Sequence, residues 1–244
     1  MKLLHLYHDI MNLYGEYGNI RALCRMLEKN EIEYELDCLS LGDSLKLEAY
    51  DFIYTGSGTE RNQKQVLEHL LAYRKELQDY IDSGKILLMT GNSFELLGHS
   101  FTDASGKEWK GMDIFPFRVK EQNRTRTTGD AVFIMEGSQN PLVGFINKCS
   151  TITGIDTPLF TVKMGLGNEG LGGMEGIWVK NFFGTHLTGP LLVKNPDFLI
   201  YLTERLVPEK KAAEGGLNTS WLERERAAYE VTLSELGRRM AQKE

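Results

Sequence analysis

The first hundred residues alternate short apolar runs with amphipathic stretches, and that alternation restricts the fold more than any other feature of the chain. Leu3 to Tyr7 is a short apolar run and reads as a buried strand. A turn-rich loop follows, Asn12-Leu13-Tyr14-Gly15-Glu16-Tyr17-Gly18-Asn19. Helical spacing runs from about Ile20 to Lys29, with Ile20, Leu23, Cys24 and Leu27 on one face. Ile32 to Leu39 alternates as a second strand. Asp51-Phe52-Ile53-Tyr54 is a third, ending in the glycine loop Thr55-Gly56-Ser57-Gly58-Thr59-Glu60. Val66, Leu67, Leu70, Tyr73, Leu77, Tyr80 and Ile81 keep helical spacing until Ser83-Gly84 stops them. Ile86 to Thr90 is the fourth strand. Strand and helix in alternation require crossovers, so the strands are expected to pair in parallel in a doubly wound sheet. The loops after Tyr7, Tyr54 and Thr90 then gather at one sheet edge, where such sheets bind ligands.

The fourth strand leads into Gly91-Asn92-Ser93-Phe94-Glu95-Leu96-Leu97-Gly98. A buried strand, a sharp turn and a helix start make the local build of a nucleophile elbow, in which a strained residue presents its side chain to substrate. Here the apex residue is Gly91, which has no side chain. Glycine adopts the strained turn cheaply, whereas a residue with a Cβ meets a cost of about 1–3 kcal/mol.

From Phe101 to about Gly184 the pattern changes to short alternating runs rich in Gly, Thr, Val and Phe, which predicts an antiparallel extension. Gly165 to Gly173 has few apolar residues and no strand-then-helix setting, so it reads as a surface hairpin loop and not as a phosphate cradle. A helix is expected from about Asn195 to Leu206, then a polar linker from Val207 to Gly216. The last segment is a helix capped by Thr219 or Ser220. Its stripe of Leu222, Tyr229, Leu233, Leu236 and Met240 is expected to pack on its own domain, with docking on a partner as the alternative. The expected division is 1–206 for the main domain and 207–244 for linker and C-terminal helix.

Composition bounds the function. The chain has 244 residues, ample for a sizeable core, and a formal net charge of −6 with its cations dispersed. No basic footprint for nucleic acid is visible, and no apolar run reaches membrane-spanning length. The N-terminus is interrupted too soon by His8 and Asp9 to act as a signal peptide. Three scattered cysteines, Cys24, Cys38 and Cys149, point to a reducing cytoplasm and to core packing. No Cys or His spacing resembles a zinc site, and no cofactor is implied.

Four segments, in order, resemble class I (triad-type) glutamine amidotransferases. The likeness is to the cobyric acid synthase-like branch and its GatD-type glutaminase subunits of lipid II isoglutaminyl synthase. Asn12 to Ile20 is similar to that branch's N-terminal signature, and Gly56 to Gln63 to its glycine loop. Gly91 to Gly98 is similar to an elbow that in active members runs Cys-Gly-Gly-Tyr-Gln-x-Leu-Gly. Gly184-Thr185-His186-Leu187-Thr188-Gly189-Pro190 is similar to a terminal motif that in active members runs Gly-Thr-Tyr-Leu-His-Gly-Pro. The likeness spans roughly residues 1 to 206. It implies the fold, an α/β doubly wound, mostly parallel sheet flanked by helices, and a Mur-ligase-like partner that receives ammonia from glutamine hydrolysis.

Aligned on these motifs, the nucleophile position is Gly91 and the proton-shuttling His position is Thr188. Glycine offers no nucleophile, and Thr does not exchange protons near neutral pH. The resemblance therefore implies a subunit without glutaminase activity, with an active enzyme on a relocated site as the alternative. Ser93 and His186 are the rescue candidates, Ser93 as a first-turn polar residue and His186 one strand step from Thr188. Thr90 is expected as a buried, hydrogen-bonded hydroxyl. Gly56, Ser57, Gly58 and Asn92 are the candidate ligand-binding residues, for a small amide or amino acid. His8 and Asp9 are weak metal or substrate candidates, and Thr151 stands where the branch carries an Arg.

Overall fold

The computed structural model describes residues 1–122, 126–207 and 216–242. β1 (Lys2–Leu6), α1 (Tyr17–Lys29), β2 (Glu35–Leu39), β3 (Phe52–Thr55), α2 (Glu60–Leu70), α3 (Arg74–Asp82) and β4 (Ile86–Thr90) form the alternating half. β3 and β4 are buried along their whole length, as strands covered by helices on both faces must be. α1 starts three residues earlier than its apolar spacing suggests, and the Asn12 side chain accepts from the Tyr17 N–H at 2.7 Å. The long helix expected from Val66 to Ile81 is two helices, broken by a 3₁₀ turn at Leu71–Tyr73. Gly84 closes α3 in a left-handed conformation, φ +78°.

The extension comprises β5 (Ser100–Thr102), β6 (Glu108–Lys110), β7 (Arg118–Glu121), β8 (Thr127–Met135), β9 (Leu142–Lys148), β10 (Ser150–Thr153), β11 (Phe160–Met164) and β12 (Met174–Glu175). The chain then returns to the first sheet through β13 (Ile177–Val179) and β14 (Phe182–Thr185), followed by α4 (Leu191–Lys194), α5 (Pro196–Leu206) and α6 (Glu223–Ala241). The main sheet has the order β13-β14-β4-β3-β1-β2, parallel except for β13. Two four-stranded sheets, β10-β7-β5-β6 and β12-β11-β8-β9, carry the extension; every pairing in them is antiparallel except β5 with β7.

Three local expectations are corrected. Gly165 to Gly173 is not a free surface loop: Gly167 and Asn168 are buried, and the Asn168 side chain pairs with the Gly176 backbone at 2.9 and 3.0 Å. α6 has no side-chain cap from Thr219 or Ser220; a 3₁₀ turn, Ser220–Leu222, leads into it instead. Cys38 is exposed and lies on β2, the edge strand of the sheet among the described residues. Cys24 is buried on α1. The stripe on α6 packs on the chain itself, with Tyr229 and Leu236 against Val132 and Val143. The Tyr229 hydroxyl donates to the Pro141 carbonyl at 2.7 Å. Most of the expected linker, 208–215, lies outside the described residues. No helix among the described residues is long and apolar enough to cross a membrane.

His5 sits in the middle of β1, buried, with Nε2 facing no hydrogen-bond partner. Burial, then the neighbouring His8, holds its imidazole down to about 4. Between pH 6.5 and 4 the unfolded chain takes up a proton that the folded chain refuses, so this part of the stability is present above pH 6.5 and lost on acidification. Replacing His5 with Phe is expected to reduce the stability lost between pH 7 and 4.5 by about 2–3 kcal/mol, read by urea unfolding at the two pH values. Equal losses in both proteins would exclude this role.

Candidate functional site

β1, β3, β4 and β14 end side by side, so the loops after Leu6, Thr55, Thr90 and Thr185 converge on one edge of the sheet. Glu16 is the residue that ties them together. Its side chain is fully buried. Oε2 accepts from the Tyr54 hydroxyl at 2.9 Å and from the Thr90 hydroxyl, and Oε1 accepts from the Gly189 N–H at 3.2 Å. Asn19 Nδ2 donates to Tyr54 at 2.8 Å, and Asn19 Oδ1 accepts from the Leu192 N–H at 2.7 Å. Burial pushes the Glu16 carboxyl up, opposed by the hydrogen bonds from Thr90, Gly189 and Tyr54. Thr90 is thus a structural hydroxyl.

The apex of the elbow is Gly91, with φ +65°. A Cβ built on it would stand 2.3 Å from both Cβ and Oγ of Ser57. The glycine loop therefore leans into the space that an apex side chain would use. That loop is itself tightly seated: a Cβ on Gly56 would meet the Met11 carbonyl at 2.5 Å, and one on Gly58 the Met11 sulfur at 2.2 Å. Gly56 is required by its close approach to a backbone carbonyl, whereas at Gly58 the neighbour is the movable Met11 side chain. Gly58 and Asn92 are joined twice: the Gly58 N–H donates to Asn92 Oδ1, and Asn92 Nδ2 donates to the Gly58 carbonyl, each at 3.0 Å.

After the apex the chain is 3₁₀ from Gly91 to Leu97 and not the start of an α-helix. The carbonyls of Leu96 and Leu97 accept instead from the N–H groups of Met112, Ile114 and Phe115. Ser93 is buried, and its hydroxyl lies 2.9 Å from the Thr90 carbonyl and 3.2 Å from that of Thr55. Thr188 is also buried, and its hydroxyl donates to the Phe145 carbonyl at 2.9 Å.

His186 is 2 % exposed and stands between two carboxylates. Nε2 lies 2.9 Å from Glu95 Oε1, and Nδ1 lies 3.1 Å from Glu175 Oε1. Both ring nitrogens are therefore engaged by carboxylate oxygens. Phe94 packs edge-on against the ring, with centroids 4.7 Å apart. Glu95 also receives Gln63 Nε2 at 2.7 Å and the Ser150 hydroxyl. Glu175 receives the Thr185 hydroxyl at 2.6 Å. Buried Lys148 donates to the Gly167 carbonyl at 2.5 Å; burial lowers its ammonium pKa, and Glu175 and Glu95 oppose that shift. A narrow polar cavity is lined by Ser57, Gly58, Gln63, Asn92, Glu95 and Lys148, among others.

Residues 2–196 match the CobB/CobQ-like glutamine amidotransferase domain. The chain belongs to that family. It is 29% identical over 212 residues to the GatD subunit of the glutamine-hydrolysing lipid II isoglutaminyl synthase of Streptococcus pneumoniae, covering 86% of this chain and 82% of that one. The GatD subunit of the same synthase from Staphylococcus aureus is 30% identical over 210 residues, covering 86% of each chain. A glutamine amidotransferase structure from Thermotoga maritima matches with a TM-score of 0.53 and 13% identity, over 98% of this chain and 97% of that one. A second glutamine amidotransferase structure gives 0.51 and 14%, over 84% and 98%. These two likenesses concern the fold alone.

Other candidates in this glutamine amidotransferase-family chain lie as follows. Cys149 is not a core residue: it is half-buried at the cavity wall, where its thiol donates to Glu60 Oε1 at 3.3 Å. Burial, then the Glu60 carboxylate, pushes that thiol up to about 12, far from thiolate character. Arg126 bonds Glu60 as well, and reaches Asn147 at 2.9 Å. Asp9 accepts from the Ser40 hydroxyl, and among the described residues no group of three His, Cys, Asp or Glu is placed to hold a metal. Thr151 accepts from Gln122 Nε2 at 3.1 Å. Glu16, Glu95, Glu175 and Lys148 were not singled out from sequence. Glu16 and Glu95 lie inside the N-terminal and elbow motifs, but nothing in the sequence marks them as buried.

Removing the Glu16 carboxylate takes away the acceptor shared by Thr90, Tyr54 and the Gly189 N–H, leaving Thr90 and Tyr54 bonded to each other at 2.9 Å and the Gly189 N–H without that partner. Glu16→Ala is expected to lower the unfolding free energy by about 3 kcal/mol or more, and Glu16→Gln by less, read by urea denaturation. An alanine variant as stable as the parent would remove Glu16 from its central place.

Proposed function

We propose that this chain is a non-catalytic member of its family, a scaffold or regulatory subunit of an amide-forming complex whose other component is a Mur-ligase-like protein. The observation that carries the reading is the apex: Gly91 has no side chain, and Ser57 fills the volume where one would stand. The second support is Thr188, whose hydroxyl is bonded to a backbone carbonyl and whose position in active members is a histidine. Glutamine hydrolysis by this family needs a thiolate to attack the side-chain amide and an imidazole to move the proton. Loss of either member of such a unit removes most of the rate.

A relocated active site finds no support in the rescue candidates. Ser93 lies within hydrogen-bond distance of two carbonyls, and His186 is held by two glutamates. Its similarity to GatD subunits of lipid II isoglutaminyl synthase favours cell-wall precursor amidation as the setting. Three unpaired thiols fit a reducing, cytoplasmic location.

The test is the nitrogen source of the complex. Co-expressed with its Mur-ligase-like partner, the chain is expected to support amidation from ammonium chloride and not from L-glutamine, measured as product per unit time. Amidation driven by glutamine, with release of glutamate, would overturn the reading.

A further inference from the structure

The elbow and the glycine loop hold each other through a carboxamide, the functional group that glutamine itself carries at its reactive end. Asn92 Oδ1 takes the Gly58 N–H, and Asn92 Nδ2 gives a proton to the Gly58 carbonyl. Both heteroatoms of the amide are used, and both backbone groups of Gly58 are used. The pair is fixed from two sides. Gln63 Nε2 donates to the Asn92 backbone carbonyl at 2.7 Å while also bonding Glu95, and the Met11 sulfur stands against Gly58. In the elbow motif of active members the residue at this place is glycine, which has no group to make such a pair.

We propose that the Asn92 carboxamide is a built-in occupant of the amide position in this cleft, so that Asn92 sets the specificity of the cavity against glutamine. This rests on the non-catalytic reading and deepens it. A backbone N–H at the glycine loop is the kind of donor that polarises an amide oxygen. An external carboxamide reaches it only by displacing two hydrogen bonds made by a group tethered beside it. A tethered group acts at an effective concentration of millimolar or far above, so free glutamine at comparable concentration does not compete. Of the candidate ligand-binding residues, Ser57 then fills the apex at Gly91 and Asn92 fills the amide position at Gly58, rather than contacting a small amide or amino acid.

The experiment is a titration of the full, isotopically labelled chain with L-glutamine, following the backbone amide resonance of Gly58. In the parent protein the resonance is expected to stay in place. In Asn92→Gly it is expected to move, with glutamine bound at least about tenfold more tightly, equivalent to about 1.4 kcal/mol. Asn92→Ala, which opens the same donor with less backbone freedom, is measured alongside and is expected to behave likewise. The parent chain gives an independent readout: the Asn92 side-chain amide protons are expected to exchange with solvent more slowly than those of an exposed asparagine. Glutamine binding by the parent at Gly58, folded variants that gain no affinity, or free-rate exchange of the Asn92 amide would each overturn the proposal. Ammonia release by the parent chain would instead overturn the non-catalytic reading, so the two failures are distinguishable.

Discussion

The cleft is organised by one close approach, that of Ser57 onto the α-carbon of Gly91. The turn at Gly91 requires a left-handed backbone, and the loop at Ser57 requires that nothing project from the apex. The two requirements select the same residue. Any other amino acid at position 91 would carry both the conformational cost of a positive φ, about 1–3 kcal/mol, and a steric conflict with the loop. The glycine loop is itself seated on its other side, with Gly56 against the Met11 carbonyl and Gly58 against the Met11 side chain. The apex is a packed interior position.

Ionisable side chains are held under this surface at two places. Glu16 collects donors from the ends of β3 and β4 and from Gly189, which fixes the spacing of three loops around the sheet edge. Behind the elbow, His186 is shared between Glu95 and Glu175, with Lys148 beside them. Buried ionisable groups persist where their partners are complete, and here each carboxylate has more than one. These groups join elements from both halves of the chain, so the antiparallel extension is locked to the main sheet at the cleft itself.

The alternating first half could be read from the sequence as a parallel, doubly wound sheet, because crossovers require parallel pairing; the strand order, and the return of β14 from the expected antiparallel region into that sheet beside β4, could not. The fully buried strand β4 and the apex at Gly91 stand out as a local pattern. Other features depend on contacts the chain makes far from itself. Glu95 meets His186 across 91 residues, and Thr90 meets Glu16 across 74, so neither pairing has a local signature. The 3₁₀ segment after the apex ends against a distant segment, Met112 to Phe115, whose N–H groups bond the Leu96 and Leu97 carbonyls. Cys38 is exposed on a strand at the sheet edge, and Cys149 borders the cavity because β9 and β10 meet there. Each outcome is set by topology rather than by residue type.

The most direct test of a cleft without a nucleophile is chemical. The intact chain is incubated with an electrophilic glutamine analogue, one that alkylates the catalytic cysteine of glutamine-hydrolysing enzymes, and its mass is measured. The unmodified mass is the result this structure predicts, since the apex carries no thiol and Cys149 is held protonated against Glu60. A stoichiometric adduct on a residue of the cleft would contradict it.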